Sequence, residues 1–539
     1  MDIGKIRTLG KLYMKIETRS RDGSRRKMAL LVFSYLLPGI FLPLLLFKQS
    51  TDPSGFEFTF LTYLFYSLII AFTVVNEFDN LIISNTEAEV ITAMPLDDEL
   101  LVNAKLFVIL RYVFFISLPL LIPGSIYYYL ALGSGVRSVL YFVSGFMLFL
   151  FLINILLLLY SLALRNFRPQ KLGTYTLILQ VFLIFFLIIG YQFVSYSFSN
   201  RTSIGITSYF EVMQKNNFLL FFPQSWFGFI PVKKDAILDY HLLLKALLPV
   251  LVCYLSYLSL KYYLEVNYKY IREKYLYSRM LFTERNVSNR GTSIYDRIWD
   301  LFLSLYLRNH IEEASFSLMR SSFKNDKTVR LNIFPMIAIP VGLAVFALIT
   351  DQLRSPFIQN YIGTRPVFHI TIFISVLVVL NTAALGIRVT NYPGASWVYE
   401  AYPIASKKLF INGIRKFFVL YLLIPVCSIL FIFFIFKMPL IQSVLHTLYI
   451  LGSALLFNSI FHTFSKTLPF TKENTIYNSI QRIATMVFPF IFGVLLIAFQ
   501  YYVYNDILNT CFAILALYII NYLVVLFWLI KSSKAKAFM

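Results

Sequence analysis

Residues 138–164 read SVLYFVSGFMLFLFLINILLLLYSLAL. No Asp, Glu, Lys or Arg interrupts the run, and Ser144, Asn154 and Ser161 stand singly among Leu, Phe and Ile. As a helix rising 1.5 Å per residue the run extends about 40 Å, more than the roughly 30 Å of bilayer hydrocarbon. Hydrocarbon offers no water to unpaired amides, so the stretch is expected to cross a membrane as a helix.

The same pattern recurs along the chain. Apolar stretches of about 20 residues fall at 29–47, 57–76, 106–132, 138–164, 174–198, 241–264, 331–350, 367–388, 417–437, 441–464, 481–501 and 507–530. The 539 residues are 58% hydrophobic and only 14% charged, with mean hydropathy +0.70. A soluble chain carries about 25% charged residues, so lipid must solvate much of this one. Residues 1–28 are basic and amphipathic with no small-residue cleavage pattern, so the first apolar run is expected to span rather than be removed.

Lys and Arg stay on the cytoplasmic side. With the N-terminus inside, about 37 of the 48 Lys and Arg lie in cytoplasmic segments and about 9 outside. Lys245 and Lys261 lie near span ends, where they can snorkel. The largest clusters are 1–28, 265–330 and Arg388 to Lys416, with Lys531, Lys534 and Lys536 in the tail. The net charge of +21 is thus placed beside spans and lipid heads, and nucleic acid is not an expected partner. The expected division is a cytoplasmic amphipathic segment 1–28 and a first half 29–264 with an external loop 199–240. A basic linker 265–330 with its own amphipathic helix, a second half 331–530 and a basic tail 531–539 follow.

The halves look duplicated at an offset of about 305 residues. Arg25 pairs with Arg330, Met14 with Met319, Val74-Val75-Asn76 with Val379-Leu380-Asn381, and Ser84-Asn85 with Thr390-Asn391. Ala93-Met94-Pro95-Leu96 pairs with Ala401-Tyr402-Pro403-Ile404, and Asn154 with Asn458. Ile6, Leu9, Leu12, Tyr13 and Ile16 share one helical face, as in a helix lying in the interface, and 297–323 alternates similarly. The expected fold is an all-α polytopic membrane protein of about twelve spans, built as two parallel pseudo-repeats of six with cytoplasmic interfacial helices.

Several chemistries lack their residues. Gly4 to Gly10-Lys11 has the wrong spacing for a phosphate-binding loop, and Leu12 stands where Ser or Thr is needed. Cys253, Cys427 and Cys511 lie in apolar runs with no metal-ligand spacing. His241, His310, His369, His446 and His462 are scattered, and the plain expectation for each is a satisfied or interfacial role. Catalytic, metal and cofactor residues are therefore not expected. The span interiors contain almost no acids, which argues against a proton- or sodium-driven carrier. The amides Asn154, Gln180, Asn381, Asn458 and Asn521 suit interhelical bonds. Asn154, Asn381 and Asn458 are also the candidates for polar contact along a pathway.

Between the second and third stretches, Glu77, Asp79, Glu87, Glu89, Asp97, Asp98 and Glu99 crowd ahead of Lys105. This reads as a short helix stopped near Pro95 and a second starting at Asp97 or Asp98, with acids at its dipole-positive end. The counterpart is Ser396-Trp-Val-Tyr-Glu400-Ala-Tyr-Pro403-Ile-Ala-Ser406-Lys407-Lys408, with Ser406 as cap.

These motifs resemble those of the membrane subunits of type-2 ATP-binding-cassette exporters, the ABC-2-type permeases. In that family a basic interfacial helix precedes six spans, and the cytoplasmic turn after the second span is a coupling helix that docks on an ATPase. Glu87, Glu89, Pro95 and Lys105 match in the first half, and Glu400, Pro403 and Arg415 in the second. Phe222-Pro223-Gln-Ser-Trp226-Phe227 resembles the external re-entrant segment between spans five and six. The second half departs, because only Tyr502–Asp506 joins its last two spans. The resemblance implies a permease subunit without catalysis of its own, energised by a pair of separate ABC ATPase subunits. Those would dock at Glu87, Glu89, Pro95, Asp97, Asp98, Glu400, Pro403 and Lys407 and rock the halves. It also implies export, and with the Phe, Ile, Lys and Tyr bias, a bacterial cytoplasmic membrane with both termini inside. An ATPase-independent carrier or lipid scramblase, or a membrane-embedded lipid or glycan enzyme, stays open beside it.

Overall fold

The computed structural model describes residues 8–9, 35–44, 55–82, 97–167, 169–199, 221–231, 240–284, 301–325, 327–357, 367–390, 396–401, 404, 406–464, 468–473 and 476–536. Most of 1–28, with Glu87, Glu89, Pro95 and Pro403, lies outside them, as do the side chains of Asp98 and Glu400.

The described chain is helical apart from one short pairing. In order, the helices are α1 (Tyr35–Leu44), α2 (Phe56–Ile82), α3 (Asp98–Leu132), α4 (Gly135–Asn166), α5 (Pro169–Ser199), α6 (Pro223–Gly228), α7 (Tyr240–Glu284), α8 (His310–Asn325), α9 (Lys327–Ile349) and α10 (Val367–Gly386). Then come α11 (Val398–Ala401), α12 (Lys407–Phe418), a π-helical segment (Val419–Leu423), α13 (Ile424–Ile435), α14 (Leu440–Phe464), α15 (Ile476–Val503) and α16 (Ile507–Lys536). Strands β1 (Val389–Thr390) and β2 (Lys472–Glu473) pair in parallel, Val389 opposite Lys472. Among the described residues nine helices are long and apolar enough to cross a membrane, and Tyr35–Leu44, Ile333–Ile349 and Phe488–Gln500 are shorter apolar segments. The chain is therefore an all-α, multi-pass membrane protein.

The helices divide into two compact units, Met1–Leu183 with Phe193–Ser288, and Ile184–Gln192 with Asn289–Met539. The unit boundary thus falls inside 265–330. Part of that stretch is not a linker in form, because α7 continues unbroken to Glu284. Long Lys, Arg and Glu side chains keep good helix propensity beyond the lipid, so the apolar run ends before the helix does. Likewise the stretch read as 417–437 starts as helix at Lys407, capped by the Ser406 hydroxyl, which accepts the Leu409 N–H at 3.4 Å.

The first unit is built around tyrosines whose hydroxyls are bonded within the bundle. Tyr63 donates to the Tyr141 carbonyl at 2.5 Å, and Tyr141 donates to the Thr62 hydroxyl at 2.9 Å. The ring of Tyr141 stacks on Tyr128 at 5.3 Å. The short helix α6 closes the same end of this bundle: Phe227 is buried against Phe151, and Tyr128 donates to the Pro231 carbonyl at 3.1 Å. Gly133, at φ 64°, ends α3, and its N–H returns to the Tyr129 carbonyl at 2.8 Å. That left-handed cap lets the chain reverse directly into α4.

In the second unit the π-helical segment has a local cause. Pro425 has no N–H, so the Tyr421 carbonyl loses its usual partner and its ring crowds the preceding turn. The widened turn re-pairs the backbone, with Ile424 N–H bonding the Val419 carbonyl. Gly413, half a helix earlier, sets the closest approach. A Cβ there would collide with the Ser315 hydroxyl and the Glu312 carbonyl and lie 2.9 Å from the Glu312 Cα. Gly413→Ala should therefore destabilise by roughly 1–3 kcal/mol through overpacking. Gly452→Ala, whose methyl meets the Tyr518 side chain at 3.1 Å, should cost less. Thermal unfolding in detergent ranks the two, and equal midpoints would contradict the close approach.

Candidate functional site

The densest polar arrangement among the described residues of the second unit joins α8 to α12. Both helices are amphipathic. Phe316, Met319 and Phe323 of α8 are buried, as are Phe410, Ile414 and Phe417 of α12, and the Phe323 and Phe417 rings meet edge-on at 4.8 Å. Gly413 lets the helices touch closely enough for a carboxylate to be sealed between them. Glu312 lies in the first turn of α8, where the helix dipole favours an anion, with Asn309 accepting the Ile311 N–H at 3.1 Å.

The Glu312 carboxylate accepts from Lys416 Nζ at 2.6 Å and from Asn412 Nδ2 at 2.6 Å. The Glu312 and Lys416 side chains are only 4% and 13% exposed. Lys416 also donates to the Tyr306 carbonyl at 2.8 Å, and Tyr306 returns its hydroxyl to the Lys416 carbonyl at 3.3 Å. Burial, with Glu312 adding to it, pushes the Tyr306 phenol up to about 12 against a lowering from Arg415. Asn412, Arg415 and Lys416 sit at i, i+3 and i+4, so they share a side of α12. Arg415 Nε donates to Asn412 Oδ1 at 2.9 Å and Nη1 to Ser459 Oγ at 2.8 Å, and Ser459 donates to Asn521 Oδ1 at 2.5 Å. One continuous set of bonds thus ties α8 and α12 to α14 and α16. Nearby, Lys408 Nζ donates to the Trp528 carbonyl at 2.7 Å.

The short helix α11 precedes this clamp. Tyr399 packs edge-on against Phe410 at 6.0 Å, and burial pushes its phenol up to about 12. Trp397 and Val398 face outward, 61% and 44% exposed. Of the residues read from sequence, Lys407 is exposed at the start of α12. Asp97 is the exposed N-cap of α3, with no side-chain cap bond. Lys105 is buried at 2% exposure. Asn154 bonds Ser256 at 3.4 Å and Asn458 bonds the Arg415 carbonyl at 3.4 Å, so both serve interhelical contacts, and Asn381 is fully buried. Pro223 opens α6, and Trp226 packs half-buried on the first unit's core.

At the opposite end of the second unit lies a chain of aromatic hydrogen bonds. His369 Nε2 is 2.6 Å from the Arg354 carbonyl, His369 Nδ1 is 3.1 Å from His446 Nε2, and His446 Nδ1 is 2.8 Å from Tyr504 Oη. A carbonyl only accepts, so His369 must carry its proton on Nε2. With both rings neutral, His446 then donates through Nε2, and Tyr504 donates to His446. Beside it, exposed Asp351 bonds Lys437 at 2.7 Å and Arg354 at 3.4 Å, and these cations hold its carboxyl below the usual range.

Sequence reading did not single out Glu312, Asn412, Lys416 or Tyr306, and it treated the histidines as separate. The Glu312-Glu313 pair inside a basic stretch, and the i, i+4 spacing of Asn412 and Lys416, were the available signals. Comparison of the chain with protein-family models, with curated proteins and with solved structures finds no match in any of the three. Its function must be read from this geometry.

Glu312→Ala leaves Lys416 buried without its carboxylate, and breaking such a pair costs about 3–5 kcal/mol. The double variant Glu312→Met with Lys416→Met should recover most of that loss in thermal unfolding. A double variant as unstable as the single would assign the cost elsewhere. Tyr504→Phe removes the donor to His446 Nδ1 and should cost about 1–3 kcal/mol for an orphaned buried acceptor. The change Tyr522→Phe at an exposed tyrosine should leave the midpoint unmoved.

Proposed function

We propose that this chain is the permease subunit of an ATP-driven exporter, with two six-span halves in one chain and α11 as one of two docking points for separate ATPase subunits. The observation that carries this reading is the build of α11. Tyr399 anchors it on Phe410 of α12, while Val398 and the preceding Trp397 face outward. An exposed Trp on a short, braced helix is the pattern of an interface anchor.

The end bearing α11 also bears Arg388, Lys407, Lys408, Arg415 and Lys416, which supports its assignment to the cytoplasmic side. Each of the twelve apolar stretches overlaps an apolar helix or shorter apolar segment, which supports twelve spans. The resemblance of the acidic turn at Glu87, Glu89 and Pro95 to coupling helices supports a second docking point there. With no phosphate-binding loop in the chain, ATP hydrolysis falls to the partners, and the bacterial cytoplasmic membrane follows from the same resemblance. A push on α11 reaches α12 through Tyr399 and Phe410, and α8 through the Glu312 clamp.

The test is co-purification with a cytosolic ATPase. Trp397→Ala should weaken that association by more than about tenfold, as loss of a hot-spot Trp costs about 2 kcal/mol or more. Charge reversal at Glu87 and Glu89 should weaken it too, with membrane insertion and thermal midpoint unchanged. Association that survives all three changes removes the docking role, and transport by the purified chain alone in liposomes replaces it with an ATPase-independent carrier.

A further inference from the structure

Two basic side chains near the clamp, one charged and one neutral, lack the partners that burial demands. Arg388 follows the apolar segment Phe368–Gly386 and is half-buried, with its guanidinium 5.1 Å over the Phe461 ring. Among the described residues its guanidinium has no hydrogen bond and no ion pair; burial lowers its pKa to about 10. His462 is 4% exposed, stacked on Phe418 at 6.0 Å and edge-on to Phe461 at 5.9 Å. Its Nε2 is buried with no hydrogen-bond partner. The guanidiniums of Arg388 and Arg415 both act electrostatically on this ring. Arg415 is held by Asn412 and Ser459 rather than by a carboxylate in direct contact.

Two guanidiniums beside a buried, unbonded histidine nitrogen, with Glu312 reaching Arg415 only through Asn412, make a donor set that a small oxyanion would complete. A guanidinium fork over an aromatic ring matches phosphate geometry, and desolvation strengthens each bond it makes. Depth narrows the ligand further. Arg388 lies two positions beyond the end of one apolar span and His462 one position before the end of another, which is headgroup level. The turn is also pinned, as Phe470 N–H bonds the Ile387 carbonyl at 2.8 Å and β1 pairs with β2.

We propose that Arg388 and His462, with Arg415 behind them, form a binding site for a phosphate-ester oxyanion, from an anionic phospholipid headgroup or a soluble phosphate compound. The site does not depend on the ATPase reading. Occupancy would brace the 387–390 turn that leads toward α11.

The full chain is reconstituted in nanodiscs of phosphatidylcholine alone and of phosphatidylcholine with phosphatidylglycerol, and its unfolding midpoint is compared. A parallel series in detergent titrates inorganic phosphate. Phosphatidylglycerol is expected to raise the wild-type midpoint, and Arg388→Met is expected to abolish that shift. A shift with inorganic phosphate that Arg388→Met abolishes equally supports the site and names a soluble source. Lys407→Gln, which removes an exposed cation at the same end, should keep the shift and so excludes bulk charge attraction. Arg388→Met should fold at least as stably as wild type without anion, since it removes an unpaired, desolvated cation. Arg388→Lys, which keeps the charge without the fork, should retain only part of the shift. A shift of equal size in wild type and Arg388→Met, or no shift in either series, overturns the proposal.

Discussion

Hydrocarbon gives back nothing for a broken hydrogen bond, and that constraint organises this molecule. Polar side chains carried into the described spans find partners inside the protein, with His462 Nε2 an exception. Thr62 returns its hydroxyl to the Phe58 carbonyl at 2.8 Å, Ser117 to the Phe114 carbonyl at 2.9 Å, and Tyr449 to the Leu496 carbonyl at 2.8 Å. Prolines are admitted where the backbone can re-pair, as at the widened turn before Pro425. Exposed Leu, Ile and Phe then need no special account, because lipid is their solvent. Two-thirds of the most apolar stretch of Phe56–Val75 is buried (67%), whereas that of Ile507–Ile530 is 17% buried and mostly faces outward.

The same rule decides where charge is allowed. In the second unit, charged groups gather at the two ends of the apolar helices. One end carries the exposed Asp351, Arg354 and Lys437, whose mutual attraction is weakened by water. The other end carries Glu312 and Lys416, which are sealed between two helices and gain far more from each other. Burying that pair costs desolvation as well. Its value lies less in net stability than in fixing one register between α8 and α12, since only that register lets Asn412 and Lys416 reach both carboxylate oxygens.

Apolar run length made the spans legible from sequence, because a stretch such as 138–164 has one physical solution. Helix ends were less legible. The stretch starting at 417 begins as helix at Lys407, since charged residues prolong helices that lipid no longer requires. The clamp was hidden for a different reason. Glu312 and Lys416 are separated by 104 positions, and no local pattern states which amphipathic faces will meet. His369 and His446, 77 positions apart, looked like unrelated interfacial residues until the helices brought their rings to 3.1 Å. Asn154 and Asn458 were open between pathway and packing, and each makes an interhelical bond, to Ser256 and to the Arg415 carbonyl.

The clamp and the π-helical segment are adjacent in the chain, and their order matters for how a push would travel. Helix α12 is held on one side by α8 and on the other by Ser459 and Asn521. Directly after it comes the segment Val419–Leu423, whose backbone pairing is already non-standard because Pro425 removes a donor. A displacement applied at the start of a stiff helix is taken up at the first compliant point along it. On the proposed docking reading that point would be the π turn, at the place where α12 passes into the apolar α13. The stiff part would then move as one body with α8, while α13 keeps its packing in the core. A uniformly α-helical segment in the same position would have spread the strain along the whole span, and a clamp without the turn would have had nothing to move against.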